Sequence, residues 1–283
     1  MKPQNLPRLF SAALVAVLVS TFSPALSAQT AGTFAASGLA KLHQGDNDGA
    51  IADLSKALEL NSSLPGAYLG RGTAYCNMSN FDGAVNDFNQ AIKLKPTSTE
   101  GYLGRGFAEF MQGNYDAAIT DQTKTIELKP DSQAAYYQRA LARGAQTNLQ
   151  GASDDFVKAM ELKAGNETAT DYAALYGALF DLRMGHIAAE KLGAHTTWGS
   201  NWTKELGAFL NTQVTEATLL KYAATAGGED KSLQQGEALY FAGVLKLVAG
   251  DKAGAKADFQ KSLNVSGGAT IVHRLAETEL DRG

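Results

Sequence analysis

Residues 65–98 read PGAYLGRGTAYCNMSNFDGAVNDFNQAIKLKPTS, and residues 99–132 read TEGYLGRGFAEFMQGNYDAAITDQTKTIELKPDS. Laid one over the other, they align Tyr68 with Tyr102, Gly72 with Gly106, Ala84 with Ala118, Asp87 with Asp121 and Pro96 with Pro130. The first four columns extend both ways at the same spacing of 34. Upstream they fall on Phe34, Gly38, Ala50 and Asp53, and downstream on Tyr136, Ala140, Ala152 and Asp155. A fixed period over four units without insertion marks a repeat architecture. Within a unit the spacing is helical. Tyr68, Gly72 and Tyr75 share one face of a first helix, and Ala84, Phe88 and Ala91 share one face of a second. Asn80-Phe81-Asp82 is the expected turn between them, and Pro96 ends the second helix because proline cannot continue it. Small residues at 72, 84 and 91 let the two backbones approach. A lone hairpin of this size cannot bury its apolar face, whereas stacked hairpins can, and stacking gives a superhelix with a concave side.

These residues resemble the tetratricopeptide repeat (TPR). Residues 65–98 carry its pattern at Tyr68, Gly72, Tyr75, Ala84, Phe88, Ala91 and Pro96. Residues 99–132 follow it with Gln122 and Thr125 in place of Phe and Ala, and residues 31–64 and 133–166 are weaker copies without the terminal proline. The resemblance implies an all-α, right-handed superhelical solenoid.

Beyond residue 166 the period breaks. Residues 167–235 hold helical stretches near Thr170–Met184 and Thr215–Ala224 but none of the 34-residue columns, so they are expected to form an irregular helical insert. Leu239, Gly243, Gly250, Ala255, Asp258 and Phe259 restore the pattern as a fifth unit at 236–269, and Ala269 to Asp281 reads as a short capping helix, together a segment 236–283. The order Trp198-Gly199, Trp202, Phe209-Leu210-Asn211 and Thr218-Leu219-Leu220, followed by a repeat and a closing helix, resembles the NlpI family of bacterial envelope TPR proteins. That resemblance implies a non-catalytic adaptor for peptidoglycan hydrolases and a protease. Members of that family are lipid-tethered through a cysteine that this chain lacks.

At the other end, Lys2 and Arg8 precede an apolar run from Leu9 to Phe22, and Ser-Pro-Ala-Leu-Ser-Ala follows at 23–28. The run of 14 is shorter than the roughly 20 residues a bilayer requires, and the small residues suit a signal peptidase. Residues 1–28 are therefore expected to be a signal peptide cleaved near Ala28, leaving four TPR units in 29–166 of an exported, periplasmic protein without a stable membrane anchor. The 283-residue chain is 45% apolar, with 25 Lys+Arg against 29 Asp+Glu. Its formal charge of −4, with no basic run, excludes the electrostatic footprint of a nucleic-acid binder. The single cysteine, Cys76, excludes an intrachain disulfide.

No pattern of catalytic chemistry stands out. His43, His186, His195 and His273 show no paired metal-ligand spacing. Cys76 has no base or orienting partner in its sequence surroundings, and no nucleophile elbow, phosphate loop or dinucleotide fingerprint occurs. The sequence therefore implies no cofactor, no metal and no catalytic residue. Arg71, Arg105 and Arg139 form a further column, expected to ladder with the aspartates, within or between units, the alternative being a basic stripe for a carboxylate ligand.

The binding argument rests on one face of the first helices, which in the TPR family lines the concave groove. It holds Leu39 and Leu42 in the first unit, Leu69, Thr73 and Cys76 in the second, Leu103, Phe107, Phe110 and Met111 in the third, and Tyr137 and Leu141 in the fourth. Some chaperone-binding members carry a Lys/Asn/Arg clamp for a peptide carboxylate there, and positions 69 and 73 lack it. An apolar groove is expected to bind protein segments, unless another part of the chain or a second subunit fills it. The reading is a protein-interaction module or adaptor with envelope partners. The alternative is an enzyme or accessory subunit with its chemistry in 167–235.

Overall fold

The structure, a computed structural model, describes residues 24–162, 167–186, 192, 198–225, 228–266 and 270–282. Among them the fourteen helices form an all-α solenoid without strands. The first four units are the hairpins α1 (Pro24–His43) and α2 (Asn47–Leu60), α3 (Pro65–Asn77) and α4 (Phe81–Leu94), α5 (Thr99–Met111) and α6 (Tyr115–Leu128), and α7 (Gln133–Ala145) and α8 (Leu149–Leu162). Then come α9 (Glu167–Arg183), α10 (Asn201–Leu210), α11 (Glu216–Ala223), α12 (Gly228–Val248), α13 (Lys252–Val265) and α14 (Ile271–Arg282). Of the expected signal peptide, residues 1–23 lie outside the described residues, and 24–28 form the start of α1.

Each hairpin turns through one residue in the left-handed region: Gly45, Ser79, Gly113 and Thr147, spaced by 34. The residue after it opens the second helix. Asp46, Asn80 and Asn148 accept a hydrogen bond on their side-chain oxygen from the amide of Gly49, Gly83 and Gly151 at 2.9–3.1 Å, satisfying an orphan donor of the first turn. The turn thus sits at Ser79 and Asn80, and Phe81 is already the first residue of α4, not part of the loop. Ser98 and Ser132, two residues after Pro96 and Pro130, cap α5 and α7 in the same way. Residues 167–235 carry the same turn twice more, at Gly185 and Thr212, and Gly250 supplies it between α12 and α13. Those spacings of 38, 27 and 38 lie outside the 34-residue phase.

Neighbouring units lock through the second-helix column. The Phe88 ring lies 3.0 Å from where a Cβ on Gly72 would stand and 2.5 Å from one on Gly104, so it wedges between its own first helix and the next. In the third unit Gln122 occupies this place, fully buried, and its amide donates to Gln138 Oε1 at 2.7 Å and to the Leu103 carbonyl at 3.3 Å. A polar pair in adjacent units replaces the wedge, and Gln122 Oε1 finds no hydrogen-bond partner among the described residues. The arginine ladder does both things the sequence left open. Arg71, Arg105 and Arg139 pair bidentately with Asp87, Asp121 and Asp155 of their own unit at 2.6–2.9 Å. Each also reaches back to the preceding unit, on Ser55, Asn89 and Thr123. The same guanidiniums stack over Tyr68, Tyr102 and Tyr136, 5.5–5.8 Å from the ring centroids.

The core is uneven. Small clusters hold the first junctions, Ala50, Leu54, Leu58, Ala67 and Ala74 between the first and second units and Ala84, Phe88 and Ala108 between the second and third. From the third unit onward one continuous cluster takes over, built on Phe156, Tyr176, Phe180, Tyr240 and Phe241. Phe156 stacks on Tyr176 at 6.2 Å and on Phe180 at 5.7 Å, and Gly144 is small because Phe180 fills the space a side chain would need.

Candidate functional site: the concave groove

The eight residues expected to line the groove divide by unit. In the second unit Thr73 is exposed, its hydroxyl spent on the Leu69 carbonyl at 2.9 Å, and Leu69 is half-buried. In the third, Leu103 and Phe107 are half-buried, and Phe107 meets Phe81 edge-on at 6.5 Å. Phe110, Met111 and Leu141 are buried in the large core, and Tyr137 packs half-buried against it. Leu39, Leu42 and Cys76 are half-buried and continue the stripe through the first two units. Burial pushes the Cys76 thiol up to about 12, so it is not a thiolate at neutral pH.

What covers the third- and fourth-unit end is the chain's own C-terminus. α14 lies across the ends of α5 and α7. Arg274 donates to the Met111 carbonyl, Arg282 to the Ala145 carbonyl, and Tyr115 and Thr278 share a hydrogen bond between hydroxyls. Met111 and Ala145 are the last residues of their helices, so the two guanidiniums sit where orphan carbonyls and the negative end of the helix dipole both favour a cation. Arg183 of α9 holds α14 from the other side through Glu279 at 2.6 Å. The expected capping helix is present as Ile271–Arg282, residue 269 lying outside the described residues, and it returns to units more than 130 positions earlier. Sequence reasoning missed this return. The only local signal is a helix with an arginine at each of 274 and 282, two turns apart on one face.

Two cavities flank the start of α14. One, of about 390 Å³, lies against the turns of the second and third units and is lined by Asn80, Phe81, Gln112, His273, Arg274 and Glu277. The other, of about 230 Å³, lies against Tyr137, Tyr172, Tyr176 and Glu237. Among the described residues no group of three His, Cys, Asp or Glu is placed to hold a metal ion, and no helix is long and apolar enough to cross a membrane. His195 lies outside the described residues.

Helical hairpins stacked in tandem, with a half-buried apolar stripe along their first helices, define a repeat scaffold for binding other polypeptides. Residues 38–113 carry tetratricopeptide repeats: the family model described as TPR repeat matches residues 38–79 and 72–113. Solved structures show the same fold. The chain is similar to MamA 41-end from Desulfovibrio magneticus RS-1, with a TM-score of 0.54 and 19% identity over 66% of this chain and 98% of that one. A crystal structure of MamA protein gives a TM-score of 0.52 and 22% identity over 65% and 93%. Pseudomonas aeruginosa PilF gives a TM-score of 0.53 and 15% identity over 89% and 99%, a match that reaches into the C-terminal half. No curated protein sequence matches the chain.

Proposed function

We propose that this chain is a non-catalytic adaptor of the cell envelope that holds extended or helical segments of other proteins in the open end of its concave groove. The observation that supports the reading is the apolar stripe of Leu39, Leu42, Leu69, Leu103 and Phe107, each of which stays only half-buried, whereas Phe110, Met111 and Leu141 are buried in the large core. Export rests on the pattern of residues 1–28, a short positive segment, an apolar run and small residues. Envelope partners of the hydrolase or protease kind rest on the resemblance of the 198–220 region to NlpI-type proteins.

The test uses residues 29–283 as bait against envelope extract, beside a Leu69→Ala, Phe107→Ala variant. The expected result is a partner retained by the wild type and lost by the variant, whose cooperative melt shows that it still folds. Equal retention would place the binding surface elsewhere. Fractionation of cells making the full chain, or the chain lacking 2–28, tests export separately, and an unchanged distribution would remove the periplasmic assignment.

A further inference from the structure

Glu237 lies in the middle of α12, 5% exposed. Its Oε2 accepts two hydrogen bonds, from the Tyr172 hydroxyl at 3.1 Å and from the Trp202 indole nitrogen. Among the described residues no lysine or arginine comes within ion-pair distance of it. Beside it is the cavity of about 230 Å³, far more than the roughly 10–15 Å³ that one water needs. Tyr137 from α7, Tyr172 and Tyr176 from α9, and Ile271 from α14 wall this space, and Leu233, 37% exposed, stands at its edge. Tyr137 meets Tyr176 edge-on at 6.3 Å, and Tyr172 lies tilted against Tyr176 at 6.3 Å.

This combination is specific in what it accepts. A buried carboxylate without a cation is costly, and here desolvation pushes the Glu237 carboxyl up to about 7, with the Trp202 and Tyr172 hydrogen bonds opposing it. The aromatic faces attract a cation and repel an anion. The aliphatic walls suit a methylene stem. A neutral apolar guest would leave the carboxyl uncompensated. We propose that the Glu237 pocket is a binding site for a primary alkylammonium group, the end of a lysine side chain or of a diamine, with the ammonium on Glu237 and the stem between Tyr137 and Ile271. The site stands apart from the groove stripe, and its success or failure is independent of the adaptor reading.

The groups facing the pocket from each packed element are Tyr137, Tyr172, Tyr176 and Trp202, whose three hydroxyls burial holds protonated well above the usual tyrosine range. His273 of α14 lines the neighbouring cleft, against Glu277. Glu237 is therefore the group that titrates near neutrality in the pocket. The experiment titrates the protein with cadaverine, with N-acetyl-lysine methylamide and with the uncharged N-acetyl-norleucine methylamide, which keeps the stem and lacks the ammonium, by calorimetry in buffers of different ionisation heat. Saturable binding of an amine, at least about tenfold tighter than norleucine, is expected. Its affinity should fall by about tenfold for each pH unit below about 7, with a proton released on binding. Whichever amine binds more tightly identifies the source as free diamine or polypeptide. Glu237→Gln keeps both hydrogen-bond donors satisfied, so its melting profile should stay cooperative while amine preference and proton release disappear. Absent amine binding, an equal affinity for norleucine, or an undiminished affinity in Glu237→Gln overturns the proposal.

Discussion

The first two units and the C-terminal half of this molecule are built from the same helical hairpin yet hold together differently. In the first two, each hairpin touches its neighbours through alanines, one leucine cluster and the Phe88 wedge. In the C-terminal half, aromatic rings from α8, α9 and α12 form one cluster, and α14 runs back to tie the last helices to the third and fourth units. The first arrangement is quasi-one-dimensional, with stability that sums over nearest neighbours. The second is closed, with contacts that form or break together. A solenoid that is open at one end and clasped at the other offers a groove only where the clasp stops.

The largest expected effect comes from the aromatic cluster. Tyr176→Ala should destabilise the protein by about 3–5 kcal/mol, read as a lowered urea midpoint for the C-terminal helices as a group. Leu54→Ala removes about 2–5 kcal/mol by the same mechanism, but hydrogen exchange should show the loss confined to α1–α3. If Leu54→Ala loosened α9 and α12 equally, the two regions would be one cooperative unit and the contrast would be lost.

The second effect is a pH dependence near neutrality that comes from Glu237 in the clasped half. The folded Glu237 carboxyl titrates at about 7, above its ordinary 4.5. Between those values the folded chain holds a proton that the unfolded chain has released, so its contribution falls as pH rises through the window. The total is roughly 3 kcal/mol. Unfolding curves of wild type and Glu237→Gln should converge near the bottom of the window and separate above it, with the variant more stable. Parallel curves would mean that Glu237 is already charge-compensated.

Loosening the clasp comes next. Arg274→Ala and Arg282→Ala each remove a charged donor from a helix-end carbonyl, worth about 1.5 kcal/mol. The double variant should bind a hydrophobic dye as Phe110 and Met111 become accessible. Dye binding at the wild-type level would show that α14 stays docked through Val272 and Leu275 alone. The smallest effect is in the ladder. Arg105→Lys keeps the charge but loses the bidentate fork on Asp121 and the reach to Asn89, and should cost at most about 1 kcal/mol, measured by thermal melting.

The contrast also explains what could be read in advance. The first four hairpins repeat in phase, so their faces, their wedge and the arginine–aspartate columns stand out as columns in one chain. An Asp or Asn three residues before a Gly, as at Asp46, Asn80, Asn148 and Asp251, would have placed the turns one residue earlier than Phe81. The turns at Gly185 and Thr212 were hidden because their spacing leaves the period. The docking of α14 has no local signature, since its partners Met111 and Ala145 are more than 130 residues away. Nothing in the sequence around Glu237, in the middle of α12, sets it apart from other acids. Only packing of α9, α10 and α12 around it reveals a buried carboxyl.

The central claim is that the chain clasps the third- and fourth-unit end of its groove and leaves the first-unit end open. Native-state hydrogen exchange tests it most directly. The amides of α14, α9 and α12 should open with free energies near that of global unfolding, and those of α1–α3 well below it. Fast exchange in α14 together with uniform protection from α1 to α8 would contradict the account, because it would describe an unclasped solenoid whose whole groove is free.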